Sequence, residues 1–434
     1  MRRDVGIAII GGGAAGLAAA VAAYDAGVED AVIFEREDAT GGILKQCIHN
    51  GFGLHRFKEE LTGPEYAARE LAAAEMRGIE IEYEASVLSL SRDRVLSVVS
   101  PTLGMLEVHA KAVILAMGSR ERTRGALRIP GARPAGVYTA GTAQHMINLE
   151  GIMPGKEIVM LGSGDIGLIV ARRLAYEGAH VKMVLNRSHI SSGLKRNIVQ
   201  CLDDYGIPLR LLHTITSIHG TSRIEAVGVS QVDKETKAAI PGTEEIIPCD
   251  TLLLSVGLIP ENELSRQAGV AIDRGSSGAS VDETYQTTIP GIFSAGNVLH
   301  IHDLVDFVSE EGEGAGKAAA AFVLAGGGAC GVGASEQAHD AGDIVASARV
   351  SAGSGVSYVV PQRVSAQAAS KVLMRFRVRR VYKKASIVVL ADGAEIKRFK
   401  RPVMVPAEMS EIRIDPALIA GRSAIEVRIE GEEE

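Results

Sequence analysis

Two short stretches carry the same spacing of glycines. In IAIIGGGAAGLAAAVAAYDAGVEDAVIFERE, residues 7–37, Gly11, Gly13 and Gly16 follow an apolar run and open a stretch of small residues. In EIVMLGSGDIGLIVARRLAYEGAHVKMVLNR, residues 157–187, Gly162, Gly164 and Gly167 do the same. This spacing suits phosphate binding. The first glycine permits a tight turn, the second lets a pyrophosphate approach the backbone, and the third lets helix and strand pack closely. The helix that follows offers unpaired N–H groups and the positive end of its dipole to the phosphates. Glu35 stands 24 residues beyond Gly11, where a carboxylate accepts hydrogen bonds from ribose hydroxyls.

The elements that must hold these residues follow from the pattern. Each stretch reads as a buried strand, a small-residue helix and a second strand, the unit of a parallel α/β sheet. The repeat keeps its register, since Gly11 to Gly27 and Gly162 to Gly178 are both 16 residues apart. The expected fold is therefore α/β, with two Rossmann-like three-layer dinucleotide-binding domains. Two such sites in one chain suggest one flavin and one nicotinamide nucleotide, with a hydride passing between them. Glu35 aligns with Asn186, and Arg187 follows. A carboxylate at that strand end favours NAD, whereas an uncharged Asn186 beside Arg187 tilts the choice to NADP or to no strong preference.

Length and composition bound the reading. A chain of 434 residues exceeds one ordinary core, and 46% hydrophobic with 23% charged residues marks a globular protein. A net charge of −7 argues against nucleic acid as the main partner. Cys47, Cys201, Cys249 and Cys330 form no CxxC pair, which fits a reducing, cytoplasmic setting. Residues 5–24 are uncharged and long enough to suggest a membrane span, but the GGGAAG run breaks them. No transmembrane segment and no metal site are expected.

Further motifs carry a family resemblance. AKAVILAMGSRER (110–122), CDTLLLSVGLIPEN (249–262) and TTIPGIFSAGNV (287–298) resemble the crossing strands and second flavin motif of the two-dinucleotide-binding-domain flavoproteins, the pyridine-nucleotide disulfide reductase superfamily. The resemblance covers residues 1 to about 326. It implies an FAD-binding domain from 1–118 and 250–326, with an NAD(P)-binding domain inserted at 119–249. For FAD it implies contacts from Gly11, Gly13, Ala14, Ala15 and Gly16. Glu35, Arg36, Gly42 and Leu44 follow, then Val87, Gly118, Gly296 and Asn297. For NAD(P) it implies Gly162, Gly164, Asp165 and Ile166, then Asn186, Arg187 and Gly257. Asn297 stands where an acidic residue normally holds the ribityl chain, and an amide can still bond those hydroxyls. The helix after it would aim its N-terminus at the flavin pyrimidine.

The chain also departs from that family. GVYTAGTAQHM (136–146) holds no cysteine where thioredoxin-reductase-like members carry CxxC. The register of the glutathione-reductase-like pair falls on Leu44 and His49. Disulfide reduction by this chain alone is not expected. The single Cys47, within GGILKQCIHNGFG, has three readings. It cycles through sulfenic acid with its pKa lowered by His49 or Lys45, or it lines the flavin face without redox change, or it only packs. Cys47, His49 and His302 are the candidate catalytic residues. Ile169 replaces a glutamate that many relatives place close to the nicotinamide.

Two narrower resemblances follow. Residues 118–148 resemble the flavin subunits of amine and opine dehydrogenases, hydrogen cyanide synthase and heterotetrameric sarcosine oxidase. GGILKQCIHNGFGL, RNIVQCLDDYGIPL and GNVLHIHDLVDFVSEEGE resemble a bacterial flavoprotein encoded beside a glycerol-3-phosphate dehydrogenase and a small cysteine-rich protein. They imply electron relay with a protein partner, either a dehydrogenase subunit or the cysteine-rich protein; a homo-oligomer is also compatible.

Beyond residue 326 the composition changes. Residues 327–357 are rich in Gly, Ala and Ser and read as a linker. Residues 358–434 alternate apolar and polar with a period of two, as in VLMRFRVRR, and Asp392-Gly393 suits a hairpin turn. A small antiparallel β domain is expected. Residues 371–401 hold 11 Lys or Arg against Asp392 and Glu395. They read either as a solvated strand face or as a docking patch for an acidic partner.

Overall fold

The computed structural model describes residues 1–327, 347–365, 368 and 370–433. It divides into two compact units, residues 1–119 with 260–434, and residues 120–259.

The first unit is built on a seven-stranded sheet. β1 (Arg2–Ile10) runs parallel to β2 (Ala31–Phe34) on one side and to Gly104–Leu115 on the other. Glu80–Glu82 extends the sheet beyond β2, and Val95–Ser100 with Ser86–Leu90 extends it antiparallel on the far side. Ile292–Ser294, from the second half of the chain, pairs in parallel with Gly104–Leu115. The central strands are apolar at nearly every position because both faces are covered. Between β1 and β2 lies α1 (Ala14–Asp25), buried on most sides by its alanines. The long helix Val305–Leu324 packs along α1. A Cβ on Gly312 or Gly316 would lie 2.2 Å from the Ala15 or Ala19 carbonyl oxygen, so the two backbones meet directly. Helix α2 (Gly63–Glu75) is started by a capping box between Thr62 and Glu65.

The second unit holds a five-stranded parallel sheet in the order Val137–Thr139, Thr251–Leu254, Glu157–Leu161, His180–Asn186, Leu209–Leu211. A three-stranded antiparallel sheet accompanies it. The chain returns to the first unit at Pro260 rather than at 250, because Thr251–Leu254 is an interior strand of this second sheet.

Most of the expected linker, 328–346, and Cys330 with it, lies outside the described residues. Its last part is not linker: Ser347–Ala352 and Val356–Val360 are strands. The tail forms a five-stranded and a three-stranded sheet over one apolar core. It is antiparallel except where Ser347–Ala352 runs parallel to Ala424–Glu433. Asp392 and Gly393 turn the hairpin with positive φ at both residues, 47° and 82°. Val372, Met374, Phe376 and Val378 are buried as their alternation predicts. Among the described residues no helix is long and apolar enough to cross a membrane.

Candidate functional site

The first glycine turn joins β1 to α1. Gly11 sits at φ +103°, and a Cβ there would lie 2.6 Å from the Ala116 carbonyl oxygen. A Cβ on Gly16 would lie 1.9 Å from the Gly11 carbonyl oxygen. Both positions are closed to any side chain by the protein itself. Gly13 differs, because a Cβ there would meet nothing within 4 Å. It is the N-cap of α1, and no side chain caps that helix. Open space in front of an uncapped helix N-terminus is what a pyrophosphate requires. Ala14 and Ala15 are buried in the first turn of α1.

Glu35 is buried at the end of β2. Its Oε2 accepts a hydrogen bond from the Gly12 N–H (2.7 Å) and its Oε1 accepts one from the Glu37 N–H (2.9 Å). An ionised carboxylate has about four acceptor positions, so room for ribose hydroxyls remains. Arg36 is exposed beside it. The Gly41 N–H bonds to the Gly12 carbonyl (2.8 Å), and a Cβ on Gly42 would lie 3.4 Å from Gly13 Cα. Leu44 is buried beneath this loop, and Val87 packs against the core of the same unit. Gly118 lies between the strands Gly104–Leu115 and Ser119–Glu121, at φ +71° with open space around it. A Cβ on Gly296 would lie 3.0 Å from the Ala15 Cβ, so the second flavin motif touches the first turn.

The long helix brings unexpected acids. Asp306, in its first turn, is buried and accepts hydrogen bonds from the Arg56 N–H (2.7 Å) and the Gly53 N–H (3.3 Å). Ser309 pairs with Tyr66 (2.8 Å) and donates to Glu70 (3.1 Å). The loop after Cys47 is thereby tied to this helix.

One turn further, Glu311 is 1% exposed and takes four hydrogen bonds. They come from the Gly296 N–H (3.1 Å), His300 Nε2 (2.7 Å), His302 Nε2 (2.9 Å) and Arg375 Nη1 (3.0 Å). Burial works against its ionisation, but the two histidines beside it outweigh that, and its carboxyl lies well below the usual range. Burial pushes His300 down to about 4, so that ring is neutral near pH 7. We read both imidazoles as Nε2–H donors to an ionised Glu311. The Nδ1 of each ring is buried and makes no hydrogen bond. These three side chains are close enough to share a cation. The Arg375 guanidinium already supplies that positive charge. The His302 backbone N–H also donates to Asn297 Oδ1 (3.0 Å).

Cys47 is half-buried, and its thiol donates to the Ile43 carbonyl (3.3 Å). Burial pushes it up to about 12, away from the thiolate that redox chemistry needs. Lys45 does not activate it, because its Nζ bonds to Glu37 (2.6 Å) and the Ala39 carbonyl (2.9 Å). The His49 ring lies against Phe52, with centroids 5.1 Å apart.

The second glycine turn repeats the first in outline. A Cβ on Gly162, at φ +108°, would lie 1.9 Å from the Ser255 carbonyl oxygen. Gly164 is open, with Ser192 Oγ 3.7 Å from where its Cβ would lie. Ile166 is exposed, and Gly257 lies at φ +98° in open space. The polar residues are used differently. Asn186 Nδ2 donates to Ser163 Oγ (2.7 Å) and the Ile190 carbonyl (3.0 Å), while its Oδ1 accepts from the Ser188 N–H (3.1 Å). Asp165 Oδ1 accepts from the Leu194 N–H (2.8 Å) and Asn197 Nδ2 (2.6 Å). Arg187 Nη2 donates to the Lys237 carbonyl (2.6 Å). Asn186 and Asp165 hold the loop 188–194 and the helix after it, and Arg187 ties the strand end to the turn at Lys237.

Glu311, His300, Arg375 and Asp306 were not singled out from sequence. The paired histidines of LHIHD and the acids of SEEGEG, on a helix with an otherwise small-residue face, were the available signals. Most of the basic tail stretch is solvated, with Lys371, Arg379, Arg380, Lys383, Lys384, Lys397, Arg398 and Lys400 exposed, but two residues depart from that: Arg375 is 2% exposed and pairs with Glu310 and Glu311, and Arg377 bonds to Asp303 and the Ile301 carbonyl. Neither belongs to a solvated face.

The family model described as pyridine nucleotide-disulphide oxidoreductase matches residues 5–312, stopping short of the tail sheets. The sequence is 28% identical over 310 residues to an opine oxidase subunit of Agrobacterium tumefaciens (strain Ach5), covering 67% of this chain and 60% of that one. It is 24% identical over 316 residues to hydrogen cyanide synthase subunit HcnB of Pseudomonas protegens, covering 67% of this chain and 65% of that one. This chain therefore spans less than two thirds of either relative. Its fold is similar to that of T. acidophilum thioredoxin reductase, with a TM-score of 0.59 at 22% identity, covering 74% of this chain and 99% of that one.

Proposed function

The chain belongs to the pyridine nucleotide-disulphide oxidoreductase family, whose members typically bind FAD and NAD(P), and from that premise we propose that it relays electrons between a nicotinamide nucleotide and a partner protein without a redox dithiol. The observation that carries this reading is the pair of glycine turns, each open at its middle glycine, combined with a Cys47 thiol pushed up to about 12. FAD, when bound, supplies a centre that accepts and releases an electron pair. The chain's own work is to hold it. Gly13 and the N-terminus of α1 take the pyrophosphate, Glu35 takes the ribose, and Asn297 takes the ribityl hydroxyls. In the second unit Gly164 and the helix after it take the coenzyme pyrophosphate. NADP is favoured over NAD because no carboxylate stands at Asn186.

The partner is a dehydrogenase subunit or a small cysteine-rich protein. The names of the opine oxidase and hydrogen cyanide synthase relatives, both of them subunits, support an assembly. A peroxidase role for Cys47 is disfavoured by its protonated, half-buried thiol. The test is Gly13→Val. A Cβ there meets no protein atom within 4 Å, so the variant should fold with the wild-type circular dichroism spectrum and purify colourless. A folded variant with full FAD content would exclude this turn as the flavin site.

A further inference from the structure

The tail sheets lie outside the matched family region, yet they reach Glu311, the most buried acid among the described residues of the first unit. The strand Val372–Val378 alternates apolar residues inward with basic residues on its other face. Both of those basic residues, Arg375 and Arg377, are shielded from solvent. Arg375 enters between Glu310 and Glu311 of the long helix, and its guanidinium also stacks over Phe307 at 5.2 Å. Arg377 grips the loop just before that helix through Asp303 and the Ile301 carbonyl. From Arg375 a hydrogen-bonded path runs through Glu311 to the Gly296 N–H, and through His302 to the Asn297 side chain. Gly296 in turn rests against Ala15 of the first glycine turn.

We infer that the C-terminal β domain is a working part of the flavin site, with Arg375 as the positioning residue that anchors Glu311 under Gly296 and Asn297. This rests on the reading of the first unit as the FAD site. The physical reason is the cost of an unpaired buried charge. Glu311 alone in that core would be strongly unfavourable, and Arg375 is the cation that compensates it. The two carry opposite charges within a cluster in which Arg375 also pairs with Glu310 and lies 3.6 Å from Glu411, so removing one or the other acts on the flavin in opposite senses. Removing Arg375 leaves excess negative charge near the flavin and makes electron uptake harder. Removing the Glu311 charge leaves excess positive charge and makes it easier.

The experiment compares wild type, Arg375→Met, Arg375→Lys, Glu311→Gln and the double variant Arg375→Met/Glu311→Gln in the full chain. FAD affinity is read by fluorescence titration of apoprotein, and the flavin midpoint potential by equilibration with a reference dye. Arg375→Met should weaken FAD binding by about tenfold or more and lower the potential. Glu311→Gln should raise the potential, the double variant should return towards wild type, and Arg375→Lys should recover part of the affinity. If Arg375→Met does not fold, the opposite shifts are read from Glu311→Gln against the double variant, which leaves no orphaned charge. A wild type that binds no FAD sinks the underlying reading and this inference with it. A wild type that binds FAD, with folded variants of unchanged affinity and potential, sinks the inference alone.

Discussion

The two glycine turns share a spacing and differ in what surrounds them. At the first, the flanking structure is drawn from distant parts of the chain. Gly296 and the long helix come from beyond residue 290, and Arg375 comes from the tail. At the second, Ser255 closes the turn behind Gly162, but the polar residues in front of it hold mostly nearby segments, through Ser163, Ile190, Leu194 and Asn197, with Arg187 alone reaching further, to Lys237. A cradle closed by long-range contacts suits a group that stays bound. A turn bordered by a local loop suits one that exchanges, because a local loop opens at lower cost than a packed core. On the proposed function, the same sequence signature is expected to mark two sites with different residence times.

The comparison can be broken most sharply at the glycines themselves. Gly16→Val should prevent stable folding, since its Cβ would fall 1.9 Å from a carbonyl oxygen, whereas Gly13→Val should only lose FAD, by at least about 100-fold in affinity. Soluble yield and circular dichroism of the two variants decide this, and equal yields would refute the distinction.

The next effect in size is the acid sensitivity of the first unit. His300 lies near 4 in the fold against about 6.5 unfolded. Between those values the unfolded chain binds more protons, so stability is full above about pH 6.5 and falls as pH drops towards 4. The loss amounts to about 3 kcal/mol at most, at ~1.4 kcal/mol per pH unit. Urea midpoints from pH 7 to 5 should fall more steeply for wild type than for His300→Gln. Parallel slopes would show that His300 does not report burial in this way.

Cys47→Ser should leave flavin reduction by NADPH within about twofold of wild type, because the thiol is protonated and engaged with the Ile43 carbonyl. A trapped sulfenate, or loss of flavin reduction, would restore the redox reading. The smallest effect concerns coenzyme choice. Arg187→Ala should raise the KM for NADPH by less than about tenfold, since its guanidinium is already held by the Lys237 carbonyl. A larger loss would mean that Arg187 leaves Lys237 to bind the 2′-phosphate.

The sequence made the two nucleotide units legible because their signals are local. A strand, three glycines, a helix and a second strand lie within 31 residues, 7–37 in the first case. The Asp392-Gly393 turn and the apolar half of the tail strands were legible for the same reason. What escaped were contacts between segments far apart in sequence. Arg375 alternates like a surface residue, and only the placement of the tail against Val305–Leu324 makes it buried. Asn186 reads as a ribose contact by alignment, while its amide is spent on Ser163 and Ile190. Return of the chain at Pro260 was missed because Thr251–Leu254 is equally apolar whichever sheet it joins.

We propose that the two turns divide the labour, one holding a resident flavin and the other admitting NADPH. Gly164→Val tests it most directly, mixed anaerobically with NADPH beside the wild type while flavin absorbance is followed. Both proteins should be yellow with equal FAD content, the wild type should bleach, and the variant should bleach at least about 100-fold more slowly. Equal bleaching of the two, or a wild type that does not bleach with NADPH or NADH, would contradict the account.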